Sequence, residues 1–214
     1  MTRSVLVAGG DRGVGKAIAA RFAAQDDWVA VTYRGIEPPG DMLAVPCDLT
    51  DTSQVEAAYR EVEDAHGPVE VLVANAEITC DGPLLHLQAL DDTAPEITAG
   101  SMPLVERVVE EMRWGDWGRI ILIVSAVEFQ GEAGPCGYIS SADALVGFAR
   151  SLGRDLASHG VTVNVVAPVL PTEDMSRLAR PEDVAAVVNF LASPDASHIT
   201  GTLVPVNGQA ATGT

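Results

Sequence analysis

A chain of 214 residues and 22.3 kDa can build one domain with a substantial core and is too short for two ordinary ones, so a single domain over 1–214 is expected. Hydrophobic content of 47%, charged content of 20% and a mean hydropathy of +0.19 exclude a disordered chain. The net charge of −17 (13 Lys+Arg against 30 Asp+Glu) repels phosphate backbones and anionic lipid, which argues against nucleic acid and membrane surfaces as partners. The longest apolar runs, such as Ile120–Val124, are of strand length and well short of the roughly 20 residues of a spanning helix. The start, MTRSVLVAGG, enters a strand-like run without the pattern of a signal peptide, so a cytoplasmic protein is expected. Cys47, Cys80 and Cys136 form no CxxC pair, and His66, His86, His159 and His198 show no ligand spacing, so neither a disulfide framework nor a metal site is expected.

Short β-branched runs alternate with Ala-rich amphipathic stretches along the chain. Strands are predicted at Ser4–Ala8, Trp28–Tyr33, Leu43–Cys47, Val69–Ala74, Ile120–Ser125, Thr162–Val166 and Leu203–Val206. Helices are predicted at Val14–Gln25, Thr52–His66, Pro103–Arg113, Cys136–His159 and Pro181–Ala192. Asp51, Thr52 and Ser53 offer capping oxygens, and Pro181 suits a first helical turn. Gly82, Pro83, Pro95 and Gly100 break the stretch Cys80–Ser101, which reads as loop. The alternation predicts an α/β doubly wound Rossmann fold: a seven-stranded parallel sheet of mostly apolar strands with helices on both faces.

Between the first strand and first helix lies Gly9-Gly10-Asp11-Arg12-Gly13-Val14-Gly15. Glycines in this place permit a tight turn and close approach to a pyrophosphate, which the helix N-terminus attracts with its free N–H groups. The alternative is a purely structural turn. At the end of the second strand, Arg34 stands where dinucleotide folds choose between a ribose 2′-hydroxyl and a 2′-phosphate, and with Arg12 it points to NADP(H). Asp11 opposes that choice, and both arginines also fit an ordinary solvated surface.

Taken together, VLVAGGDRGVGKAIA (5–19), VAVTYRG (29–35), CDLTD (47–51), GPVEVLVANA (67–76), GRIILIVSA (118–126), the Ser125 to Tyr138 spacing, NVVAP (164–168) and the segment 180–208 resemble the short-chain dehydrogenase/reductase family. Within it, the chain is similar to the bacterial β-ketoacyl-acyl-carrier-protein reductases. The resemblance implies cofactor contacts at Gly9, Arg12, Gly13, Val14, Gly15, Arg34, Asp48, Leu49, Asn75, Ala76 and Pro168. It puts Asp48 at the adenine ring and Asn75 and Ala76 along the cofactor, and it implies a dimer or tetramer built through paired long helices.

The same resemblance assigns catalysis to Ser125 and Tyr138, and here the family pattern breaks. The lysine expected four residues after the tyrosine is Ala142, whose methyl group cannot lower a phenol pKa. The expected asparagine falls near Ile97 or Ala99; no asparagine occurs between Asn75 and Asn164. Asn-Ala-Gly reads Asn75-Ala76-Glu77, Pro-Gly reads Pro168-Val169, and Thr172 only approximates the carboxamide-binding threonine. Where relatives carry a lid helix, only Ser-Arg-Leu-Ala-Arg separates Met175 from Pro181. Glu77, Asp143 and His86 are further polar candidates for the pocket; Asp143 points about 100° away from position 142 around a helix. Ser125 and Tyr138 are also compatible with a packing role.

The expectation from these losses is a non-redox enzyme, of cyclase, dehydratase or isomerase type, acting on a polyketide-like or acyl-like carbonyl. The alternatives are a non-catalytic partner subunit paired with an intact relative, or an active NADPH-dependent 3-oxoacyl reductase. Glu110, Glu111 and Asp116 oppose docking of an acidic carrier, and Arg107 and Arg113 soften that opposition. A free small molecule is therefore an alternative to a carrier-bound chain. Trp114 and Trp117 fit either a subunit contact or helix-end packing.

Overall fold

A computed structural model describes residues 2–35, 37–38, 40–75, 89–124, 136–168 and 179–206, with side chains described in these ranges except over 89–101 and 136–142. The strands are β1 (Ser4–Ala8), β2 (Trp28–Tyr33), β3 (Leu43–Pro46), β4 (Val71–Asn75), β5 (Gly118–Ile123), β6 (Val161–Pro168) and β7 (Leu203–Val206). Between them run α1 (Gly13–Ala23), α2 (Thr52–His66), α3 (Ala89–Trp114), α4 (Cys136–Leu156) and α5 (Pro181–Leu191). All pairings are parallel, in the order β3-β2-β1-β4-β5-β6-β7. This is the doubly wound arrangement expected from the alternation of strand and helix.

Both faces of the sheet are covered, which is why its central strands are mostly apolar at successive positions rather than only at alternate ones. Successive side chains point to opposite faces. Leu6 and Ala8 join Tyr59, Leu104, Val108 and Leu145 from α2, α3 and α4. Val5 and Val7 join Ile18, Phe22, Val184 and Val188 from α1 and α5. The edge strands β3 and β7 carry Pro46 and Pro205. Proline lacks the ladder donor and is tolerated at an edge, where it also blocks further pairing.

The expected loop over Cys80–Ser101 is corrected from Ala89 onward: α3 begins there and runs through Pro95 and Gly100. Leu104, Val105, Val108 and Met112 bury the second half of this helix, and a long helix propagates from a packed segment more easily than it nucleates. That packing outweighs the local breaker residues. Other boundaries move by one or two residues, with β4 ending on Asn75 and the end of α4 tightening into a short 3₁₀ turn at Ala157–His159.

Candidate cofactor and active site

In this strand order the winding direction reverses between β1 and β4, and ligands of open α/β sheets bind at the carboxyl ends of the strands at that point. Two site candidates meet there. The Asn75 side-chain amide, at the end of β4, donates to the Gly9 carbonyl beyond β1 at 3.4 Å. Gly9 lies in the left-handed region (φ 68°), which glycine enters without steric penalty. Its N–H donates to the Thr32 Oγ1 at 3.0 Å, and the next N–H, of Gly10, donates to the Thr32 carbonyl at 3.1 Å. Thr32 is fully buried on β2 and fixes the turn with both its backbone and its side chain. It is a positioning residue absent from the sequence expectation, and the signal was a hydroxyl inside the otherwise largely apolar strand Trp28–Tyr33.

Two glycines explain why the turn tolerates no bulk, and a third keeps its mouth open. A Cβ at Gly15 would sit 2.1 Å from the Gly9 carbonyl oxygen, so the start of α1 rests directly on the turn. A Cβ at Gly10 would meet Val31 Cγ1 at 2.6 Å. Gly13, at φ 52°, faces open space, leaving the mouth of the turn clear. Arg12 stands at the N-cap of α1 but makes no side-chain cap hydrogen bond, and the first turn carries no acidic residue. By contrast, α2 is capped by Asp51, whose carboxylate accepts from the Ser53 and Gln54 backbone N–H groups. An uncapped helix start behind a glycine turn fits a pyrophosphate, since its donors and the positive end of its dipole remain available. Val14 is buried in the core, so at this position the side chain is a packing residue.

The far end of the site is electrostatically mixed. The Arg34 guanidinium, just past β2, lies 3.8 Å from an Asp48 carboxylate oxygen. The other Asp48 oxygen accepts from the Thr50 N–H at 3.0 Å and the Thr50 hydroxyl at 2.7 Å. These bonds, and then Arg34, hold the Asp48 carboxyl below its ordinary value. Leu49 tucks partly into the core, anchoring the segment. Burial, then Asp48 and Asp51, push the neighbouring Cys47 thiol up to about 11, so it remains neutral.

The chain matches the family model for short chain dehydrogenase over residues 3–183. It is 38% identical to the 3-oxoacyl-[acyl-carrier-protein] reductase MabA of Mycobacterium tuberculosis over 228 aligned positions, covering 97% of this chain and 92% of the relative. It is 33% identical to the 3-oxoacyl-[acyl-carrier-protein] reductase FabG of Staphylococcus aureus, covering 97% and 98%. The chain belongs to the short-chain dehydrogenase family. The 228 aligned positions exceed the 214 residues of the chain, so the mycobacterial relative has residues with no counterpart in this short-chain dehydrogenase.

At the chemical end, β5 and Val124 lead to Ser125, which lies outside the described residues, as do Ala76, Glu77, His86, Val169, Thr172 and the run 171–178. Tyr138 is the second residue after Cys136 in α4, and Ala142 follows four residues later in the same helix. Ile97 and Ala99 fall within α3. Asp143 is exposed on α4. Pro168 ends β6 two residues beyond Val166, the residue that the register through Ile123 places level with Asn75. Among the described residues no His, Cys, Asp or Glu group is arranged to hold a metal. No helix among them is long and apolar enough to cross a membrane.

The docking expectation before β5 changes in one respect. Arg107 is bound to Glu111 at 2.6 Å, Glu63 at 3.3 Å and Glu56 at 3.5 Å, and it lies over the Tyr59 ring. It is committed to joining α2 and α3 and offers no cation to an acidic carrier. Trp117 packs beneath Arg119, whereas Trp114 is 90% exposed.

Proposed function

We propose that the chain binds NADP(H) on the glycine turn and reduces a 3-oxoacyl-type carbonyl, working as one short-chain dehydrogenase unit over its length. The observation that carries this reading is the glycine turn, with its uncapped helix start and the Gly15 contact on Gly9, in a chain that aligns nearly end to end with two 3-oxoacyl-[acyl-carrier-protein] reductases. This favours the reductase alternative over the non-redox reading drawn from the sequence.

In this reading Gly9, Gly13 and Gly15 shape the turn, the α1 N-terminus holds the pyrophosphate, and Val14 locks the helix into the core. Arg12 and Arg34 face the ribose phosphate, Asp48 and Leu49 flank the adenine, and Asn75, Ala76 and Pro168 line the path toward the reacting end. A reduced nicotinamide, when bound, supplies the hydride. Ser125 holds the substrate carbonyl oxygen, and the Tyr138 hydroxyl donates a proton to it. With Ala142 in the lysine position, no cation four residues on favours the ionised phenol, so Tyr138 acts as a proton donor that is slowly re-protonated through a relay lacking its cation. The expected outcome is a slow reductase.

Ala142 favours a second reading, in which the same serine and tyrosine polarise a carbonyl for cyclisation, dehydration or isomerisation without hydride transfer. A non-catalytic partner subunit is the third. The substrate is an acyl-type or other small carbonyl compound, and subunits pair through α3 and α4 in a homodimer or homotetramer. Oxidation of NADPH dependent on a 3-oxoacyl thioester, and lost in Tyr138→Phe, supports the reductase. Substrate conversion without NADPH consumption would replace it with the second reading, and indifference to Tyr138→Phe with the third.

A further inference from the structure

The Arg34 side chain is 76% exposed, yet its charge is already met by an anion held in place. Two hydrogen bonds from Thr50 fix one Asp48 oxygen and leave the other toward the guanidinium. Behind it, Asp51 accepts from Ser53 and Gln54 on one oxygen and from the Gln54 side chain on the other, so it adds a second fixed negative charge nearby. Gln54 also accepts from the Asp48 N–H at 3.0 Å, which ties the segment together. An incoming 2′-phosphate would meet a cation whose charge is already partly offset, and it would also approach the carboxylate that offsets it.

We propose that Asp48 is a specificity-determining residue: by offsetting Arg34 it reduces the preference for NADPH over NADH that an arginine in this position would otherwise confer. The inference rests on the proposed dinucleotide site. Its effect acts through Arg34, since a carboxylate 3.8 Å from a guanidinium weakens that group toward any competing anion.

The test is calorimetric titration of NADPH and NADH into wild type, Asp48→Asn, Arg34→Gln and the double variant, with the ratio of the two affinities as the readout. Asparagine keeps the oxygen that Thr50 binds and removes the charge. The ratio should rise roughly two- to five-fold in Asp48→Asn, the range that a partly exposed ion pair supports. It should stay unchanged when the same substitution is made in Arg34→Gln. A ratio unmoved by Asp48→Asn, or moved equally in both backgrounds, overturns the proposal. Arg34→Gln alone should lower the ratio by less than the roughly tenfold that an uncompensated charged hydrogen bond contributes, and a larger fall would also overturn it. Binding of NADPH with no effect of Asp48 on the ratio defeats only this inference; absence of binding by either dinucleotide overturns the cofactor reading and this inference with it.

Discussion

Replacing Gly15 by alanine tests the structural basis of the cofactor end. The added Cβ would lie 2.1 Å from the Gly9 carbonyl oxygen, 3.0 Å from its carbon and 3.1 Å from the Gly10 Cα. Relief to ordinary contact requires α1 to move by about 1 Å or more. Neither side yields easily, because Gly9 and Gly10 are bound to Thr32, and Val14, Ile18 and Phe22 of α1 are buried against the sheet. Overpacking typically costs about 1–3 kcal/mol, and a backbone obstacle places this case near the upper limit. For a chain of this size about 3 kcal/mol corresponds to a fall of roughly 6–12 °C in Tm. Thermal unfolding followed by circular dichroism, with calorimetric titration of NADPH at a temperature where the variant is folded, checks both consequences. A Gly15→Ala protein that melts with wild type and binds NADPH equally well would refute the close helix-to-turn contact on which the site is built.

Other consequences are equally open to measurement. Ala142→Lys should raise kcat for a 3-oxoacyl thioester by about 10²-fold and lower the pH above which reduction falls off, since a nearby cation makes the phenol a stronger acid and favours its ionised form, whereas donation needs the protonated one; steady-state rates across pH would show it. Thr32→Val leaves the Gly9 N–H without its acceptor and should cost about 1–3 kcal/mol in denaturant unfolding and weaken NADPH binding, while Thr32→Ser should restore both. The Asp51 carboxyl is held at about 2, against an ordinary 3.8, by hydrogen bonds from Ser53 and then Gln54. Its stabilisation is therefore present above 3.8 and lost as pH falls through about 2, and Asp51→Ala should flatten that part of the acid-unfolding curve.

The seven-stranded parallel sheet with helices on both faces and the glycine turn were legible in the sequence because they follow from local signals: apolar runs, amphipathic spacing and glycines between a strand and a helix. The start of α3 was hidden because Pro95 and Gly100 argue locally for a break, whereas burial of Leu104, Val105 and Val108 comes from distant segments. The setting of Arg34 was legible only in part. Arg34 alone suggests a phosphate site, but its effective charge depends on Asp48, fourteen positions away in sequence and brought alongside by the pairing of β2 with β3. Arg107 shows the same limit: in the sequence it is a cation near a docking segment, and in the fold it is enclosed by three glutamates. Thr32 could have been suspected as a hydroxyl in an apolar strand, though nothing local names Gly9 as its partner.

A stopped-flow record of NADPH oxidation on mixing the protein with a 3-oxoacyl thioester bears most directly on the whole account. A slow, substrate-dependent decay that disappears in Tyr138→Phe is the expected result, reflecting a sound nucleotide cradle served by an unaided phenol. No decay at any substrate concentration would contradict the reductase reading, and decay as fast as that of a lysine-bearing relative would contradict the role given to Ala142.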